Sequence, residues 1–142
     1  MHIEFTIPGA PFGKERPRIT VRGGYGHAYT PKKTVDYEKG VRSVAMGKVL
    51  KTPGWDAEAP MAVRIVAYYP VPASYTKKKR QAVLEGKLHP TVKPDLDNVC
   101  KSILDAMNGV VYTDDKQIIV LYGEKHYAKE DPNVAVIVKT LL

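Results

Sequence analysis

Apolar and polar residues alternate from His2 to Ile7, with Ile3, Phe5 and Ile7 on one side. That period of two predicts a first strand, closed by Pro8-Gly9. Arg22-Gly23-Gly24-Tyr25-Gly26 has the composition of a hairpin turn, returning through His27-Ala28-Tyr29. Thr30-Pro31 is a helix opening, and Tyr37, Val41, Val44, Ala45 and Val49 form an apolar stripe through about Leu50, before Thr52-Pro53-Gly54 stops it. Met61 to Tyr69 alternates again. Because Val66 and Tyr68 keep its second face partly apolar, this strand is expected in a partly covered sheet. Ser74 to Gly86 predicts a short helix capped by Ser74 or Thr76, and Leu88 to Lys93 an irregular lead.

The strongest helical signal lies further on. Leu96, Val99, Ile103, Ala106 and Met107 fall at i, i+3, i+7, i+10 and i+11, with Asp97 as the expected N-cap and Asn108-Gly109 as the stop. Val110-Val111-Tyr112 is expected to be extended and Thr113-Asp114-Asp115 a turn. Two last strands, Gln117 to Tyr127 and Asn133 to Leu141, are separated by Ala128 to Pro132. The pattern predicts one α+β domain, with a mixed sheet of about four or five strands and two main helices. At 142 residues the chain has the length of a single domain.

Charge changes the picture. The chain carries 22 Lys and Arg against 15 Asp and Glu, a net +7, which favours an anionic partner such as nucleic acid, although a solvated basic surface has the same composition. The cations cluster. Lys14, Arg16, Arg18 and Arg22 line the first hairpin, where Tyr25 and Tyr29 make it either a cationic ribbon along DNA or a plain exposed hairpin. Lys77, Lys78, Lys79 and Arg80 occupy the first turns of the short helix, where the helix dipole disfavours cations, and Lys93 extends that group. Lys14, Arg16, Arg18, Lys77, Lys78, Lys79, Arg80 and Lys93 are the candidate phosphate contacts. No G-x-x-x-x-G-K-S/T loop is present. The lone Cys100 falls on the core side of the central helix and cannot form an internal disulfide. No apolar run is long enough to span a membrane and no signal segment opens the chain, so a cytoplasmic protein is expected.

Against this basic background, Pro94 to Asp115 holds five of the fifteen acids and a single base, Lys101. Asp95/Asp97 and Asp114/Asp115 flank the central helix, and crowded carboxylates repel unless a cation or a proton relieves them. A hard divalent ion, Mg²⁺ or Mn²⁺, is the economical reason to bring them together; a capped helix and an acidic turn would use the same residues without one. Asp105 shares a face with Asp97 and Lys101 and is expected to pair with Lys101 or support the site rather than ligate, since it lies roughly 12 Å from Asp97 along the axis.

Residues 95–118, D-L-D-N-x-x-K-x-x-L-D-A-x-N-G-V-x-Y-x-D-D-x-Q-I, resemble the signature of the RusA family of Holliday-junction resolvases. The resemblance implies a small homodimeric, Mg²⁺-dependent endodeoxyribonuclease, of bacterial or phage type, that nicks four-way DNA junctions symmetrically and needs no small-molecule cofactor. It also implies that Asp95, Asp97 and Asp115 hold the metal and that Lys101 takes part in catalysis; Asp114 matches the second acidic pair without a clear role. Where some relatives carry arginines before D-L-D, this chain has His89, Lys93 and Pro94. Two other readings use the same residues: a basic nucleic-acid-binding module with a structural ion, and a nuclease acting on flaps or other branched DNA.

Overall fold

The computed structural model describes all 142 residues, Met1–Leu142. Six strands and three helices follow in the order β1 (His2–Pro8), β2 (Arg18–Arg22), β3 (Tyr25–Tyr29), α1 (Lys32–Leu50), β4 (Met61–Tyr69), α2 (Lys77–Leu84), α3 (Leu96–Met107), β5 (Ile118–Tyr127) and β6 (Asn133–Thr140). Four strands form one mixed sheet in the order β1-β6-β4-β5, antiparallel except for the parallel pair β4 and β5. The parallel pair follows from α2 and α3, which lie between β4 and β5 in the chain and provide the long crossover such a pair requires. β2 and β3 form a separate two-stranded ribbon.

The core lies between α1, α3 and one face of the sheet. Ile3, Phe5 and Ile7 of β1, Val134, Val136 and Val138 of β6, and Val63, Ile65 and Ala67 of β4 meet Val41 and Ala45 of α1 and Val99, Ile103, Ala106 and Met107 of α3. Val99, Ile103 and Met107 are completely buried, each contributing about 1.5–3 kcal/mol of hydrophobic stabilisation. The stripe seen in the sequence is thus the face by which α3 is anchored.

Several boundaries differ from expectation. Asp95, not Asp97, occupies the N-cap position of α3, and its side chain makes no capping bond; Asp97 lies in the first turn. Pro31 rather than Thr30 occupies that position in α1, whose first residue is Lys32. Val110-Val111-Tyr112 is buried turn structure closed by an Asn108 to Tyr112 bridge, because the three apolar side chains insert under α3 instead of joining the sheet. Gln117 ends a 3₁₀ turn, Asp115–Gln117, so β5 starts one residue later. Gly23 and Gly24 both have positive φ, 59° and 81°, which is what a two-residue turn twisted to match a hairpin demands.

Candidate active site

The approach to α3 is held from both sides. The buried Tyr69 hydroxyl donates to the Pro94 carbonyl, while the Lys125 ammonium donates to the carbonyls of Val92 at 2.8 Å and Pro94 at 3.3 Å. Lys125 also lies 4.7 Å from the centre of the Tyr69 ring. These contacts fix the backbone on which Asp95 begins the helix. The Tyr69 phenol is pushed up to about 12, first by burial and then by the Asp95 charge.

Asp115 is positioned from the other end of α3. Its backbone N–H donates to Asn108 Oδ1 at 2.9 Å. Asn108 itself caps α3, and its carbonyl accepts from Arg42 at 2.9 Å. Asp114 works locally: Oδ1 accepts from the Lys116 N–H at 2.9 Å, and the Asp114 N–H donates to Gln117 Oε1 at 3.0 Å, a capping box over the 3₁₀ turn. The Lys116 N–H is the main reason its carboxyl lies below the usual range. The Gln117 amide in turn donates to the carbonyls of Ala57 and Ala59. Asn108, Gln117 and Lys125 therefore shape the site; Asn108 and Gln117 stand in the quoted signature with no role in the site assigned to them, and Lys125 lies outside it.

Between α3 and β5 runs a cleft of about 570 Å³ lined by Asp97, Lys101, Asp105 and Asp115, with Leu96, Leu104, Leu121 and Gly123 among its apolar walls. Gly123 is needed for closeness, since a Cβ there would stand 3.1 Å from Cys100 Sγ and 3.6 Å from Leu96. Asp95 opens onto an adjoining hollow with Lys93 and Asn98. Burial, then the Asp97 charge, raises the Cys100 thiol, which makes it a poor nucleophile. Burial also raises the phenol of Tyr112, followed by the charges of Asp115, Asp105 and Asp114, which places one acidic field around that ring.

The other candidates divide by what already holds them. Asp105 pairs with Lys14 at 2.6 Å, not with Lys101, and Glu38 holds the same ammonium at 3.1 Å. Lys14 is thus an internal clamp, although the basic run around it suggested DNA contact. Arg80 donates to the carbonyls of Tyr75 at 3.2 Å and of Pro72 and Ala73 at 3.3 Å, so its guanidinium closes the loop before α2. Lys77, Lys78, Arg16 and Lys93 are exposed, Lys79 stands 5.1 Å from the Tyr75 ring, and Arg18 makes a loose exposed pair with Glu15 at 3.4 Å. None of the chain's ion pairs involves Asp95, Asp97, Asp115 or Lys101.

No three or more His, Cys, Asp or Glu side chains converge into a ready-made cation cage. The donor set nevertheless fits Mg²⁺ or Mn²⁺: exposed carboxylate oxygens outside any ion pair, with no imidazole in the cleft and its one sulfur, the buried Cys100 thiol, held in the protonated form that does not ligate. Such ions use one or two carboxylates and complete their shell with water and substrate phosphate.

The molecule is thus a basic α+β domain with an open cleft that brings carboxylates and an unpaired lysine together. The family Endodeoxyribonuclease RusA matches residues 8–139, nearly the whole chain. The chain belongs to the RusA endodeoxyribonuclease family. It is also similar to the uncharacterized protein YqaN of Bacillus subtilis (strain 168), with 35% identity over 139 residues, covering 96% of this chain and 95% of the relative.

Proposed function

We propose that the protein is a divalent-metal-dependent endonuclease that resolves four-way DNA junctions by paired nicks, in recombination and repair. The observation that carries this reading is the convergence of Asp97, Lys101 and Asp115 on one solvent-open cleft, with Asp95 at the helix start beside it, in a chain of this family. Asp95, Asp97 and Asp115 would hold Mg²⁺, with Mn²⁺ as a substitute. When bound, the ion supplies an activated water and charge stabilisation at the scissile phosphate, which yields 5′-phosphate ends. Lys101 neutralises charge developing on the phosphoryl oxygens. Lys77, Lys78, Lys79 and Lys93, with Arg16 and Arg18, hold flanking phosphates through long, exposed side chains.

Paired cuts on opposed strands are most simply made by a two-fold dimer with two such clefts. The free edge of β5 supports that assembly: Ile119, Val120, Leu121 and Tyr122 are all at least half exposed on the outermost strand of the sheet. An apolar unpaired edge is a template for a second copy, and it lies directly after Asp115.

The test is a substrate panel. Synthetic four-way junctions, flaps, duplex and single strands are incubated with protein and Mg²⁺ or with chelator, and symmetric, metal-dependent nicks confined to the four-way junction are expected. Cleavage of flaps in preference to junctions would make the protein a nuclease of other branched DNA. No metal-dependent scission of any substrate would leave only a binding module.

A further inference from the structure

The β2–β3 ribbon has two unlike faces. Arg18 stands opposite Tyr29, Thr20 opposite His27 and Arg22 opposite Tyr25. Directly opposed and alternate residues share a face, so these six form one side, while Ile19 and Val21 oppose Ala28 and Gly26 on the other. All residues from Val21 to Thr30 are exposed; Tyr25 is 74% and Tyr29 48% accessible. Thr20, Arg22, His27 and Tyr29 border a shallow hollow of about 460 Å³. Residues 16–35 contain five Lys or Arg and no acid, so this surface is complementary to a polyanion.

We propose that the polar face of this ribbon is a stacking platform for unpaired bases of the bound DNA, with Tyr25, His27 and Tyr29 against the bases and Arg18 and Arg22 on neighbouring phosphates. The assignment rests on the reading of the protein as acting on branched DNA. Cations alone would serve a duplex backbone. Exposed rings alternating with them serve bases whose faces are open, as at a branch point or in a single strand.

The segment that leads into the ribbon, residues 12–14, is anchored beside the acidic cleft. Ser102 Oγ donates to the Phe12 carbonyl at 2.9 Å, the Lys14 N–H donates to the Asn98 carbonyl at 3.3 Å, and the Lys14 ammonium is held by Asp105 and Glu38. Gly13 sits so close to Pro94 that a Cβ would fall 2.7 Å from the proline Cβ. Apart from Glu38 of α1, these anchors are on, or just before, the helix that carries Asp97 and Lys101. A base seated on the ribbon is tied through that segment to the helix that bears the cleft.

The experiment compares four full-length proteins, without divalent metal, on a junction, a single strand and a duplex, each containing a base analogue that brightens when unstacked. Against wild type, the Tyr25→Ala/Tyr29→Ala double variant should bind the junction and the single strand roughly 10–10³-fold more weakly and lose the fluorescence change, with duplex binding little altered. Tyr25→Phe/Tyr29→Phe should behave as wild type, because the rings remain. Ile19→Ser/Val21→Ser, on the other face, should also bind normally. Unchanged junction affinity in the alanine variant, equal loss on duplex and junction, or loss only in the Ile19/Val21 variant would overturn the proposal. A wild type that stacks bases on the ribbon but never nicks a junction with Mg²⁺ would leave the platform standing and remove the resolvase reading.

Discussion

Asn108→Ala isolates how Asp115 is held. The substitution removes the Oδ1 acceptor of the Asp115 N–H, a 2.9 Å bond, but leaves the Asn108 backbone carbonyl free to accept from Arg42. The orphaned N–H is exposed and water can replace the acceptor, so the loss in stability should be that of one ordinary hydrogen bond, about 0.5–1.5 kcal/mol. For a chain of this length that lowers Tm by about 2–6 °C. The functional loss should be larger than the stability loss suggests, because a carboxylate displaced by about 1 Å costs on the order of 10²-fold in rate. Single-turnover junction cleavage and junction binding, measured side by side, separate the effects: kcat should fall about 10–100-fold with affinity unchanged. Asn108→Asp retains an acceptor oxygen at the same place and should recover most of the rate. Wild-type kcat in Asn108→Ala would show that this contact does not position Asp115 for catalysis.

The other predictions concern the surface. Replacing Lys77, Lys78 and Lys79 with Ala should reduce the slope of log affinity against log salt by about two to three units, whereas Arg80→Ala, whose guanidinium is already bound to three carbonyls, should leave the slope nearly unchanged and lower the melting temperature. Salt titrations of junction binding report both. On the solvent side of the sheet, Glu124 is held down at about 2, against an ordinary 4.5, by the Tyr122 hydroxyl first and then by His126 and Arg64. A depressed carboxyl contributes stability above its unfolded pKa and loses it as pH falls through the folded value. Acid melts should therefore decline less steeply between pH 4.5 and pH 2 in Glu124→Gln than in wild type, and identical curves would remove this network from the acid response.

What could be read from the sequence was mostly local. The α3 stripe was legible because burial of one helix face forces a 3.6-residue period, and Val99, Ile103, Ala106 and Met107 are indeed completely buried. The alternation in β1 and β4 was legible for the same reason at period two. The acidic groups stood out because they reverse the charge of the chain around them. Partners distant in sequence were not legible. Lys14 meets Asp105 across 91 positions, so nothing near either residue could show that a cation in a basic run is held inside the fold. Arg80 looked like its lysine neighbours, yet its planar guanidinium is spent on three carbonyls of the loop before α2, which no local pattern shows. Asp97 and Asp95 are both plausible caps by composition, and the two-residue difference depends on where Pro94 ends the approach. The strand order β1-β6-β4-β5 depends on crossovers that no local pattern encodes.

The central claim is that the carboxylates around α3 and the 3₁₀ turn form the catalytic centre. The most direct measurement is junction cleavage with Mg²⁺ by Asp97→Asn and Asp115→Asn, at protein concentrations that saturate binding. Both side chains are exposed, so the variants should fold normally and bind the junction at least as tightly as wild type, since each loses a negative charge facing phosphate. Cleavage should be slower by roughly 10²–10³-fold or more in each. Normal cutting by either variant while it remains fully bound would contradict the account.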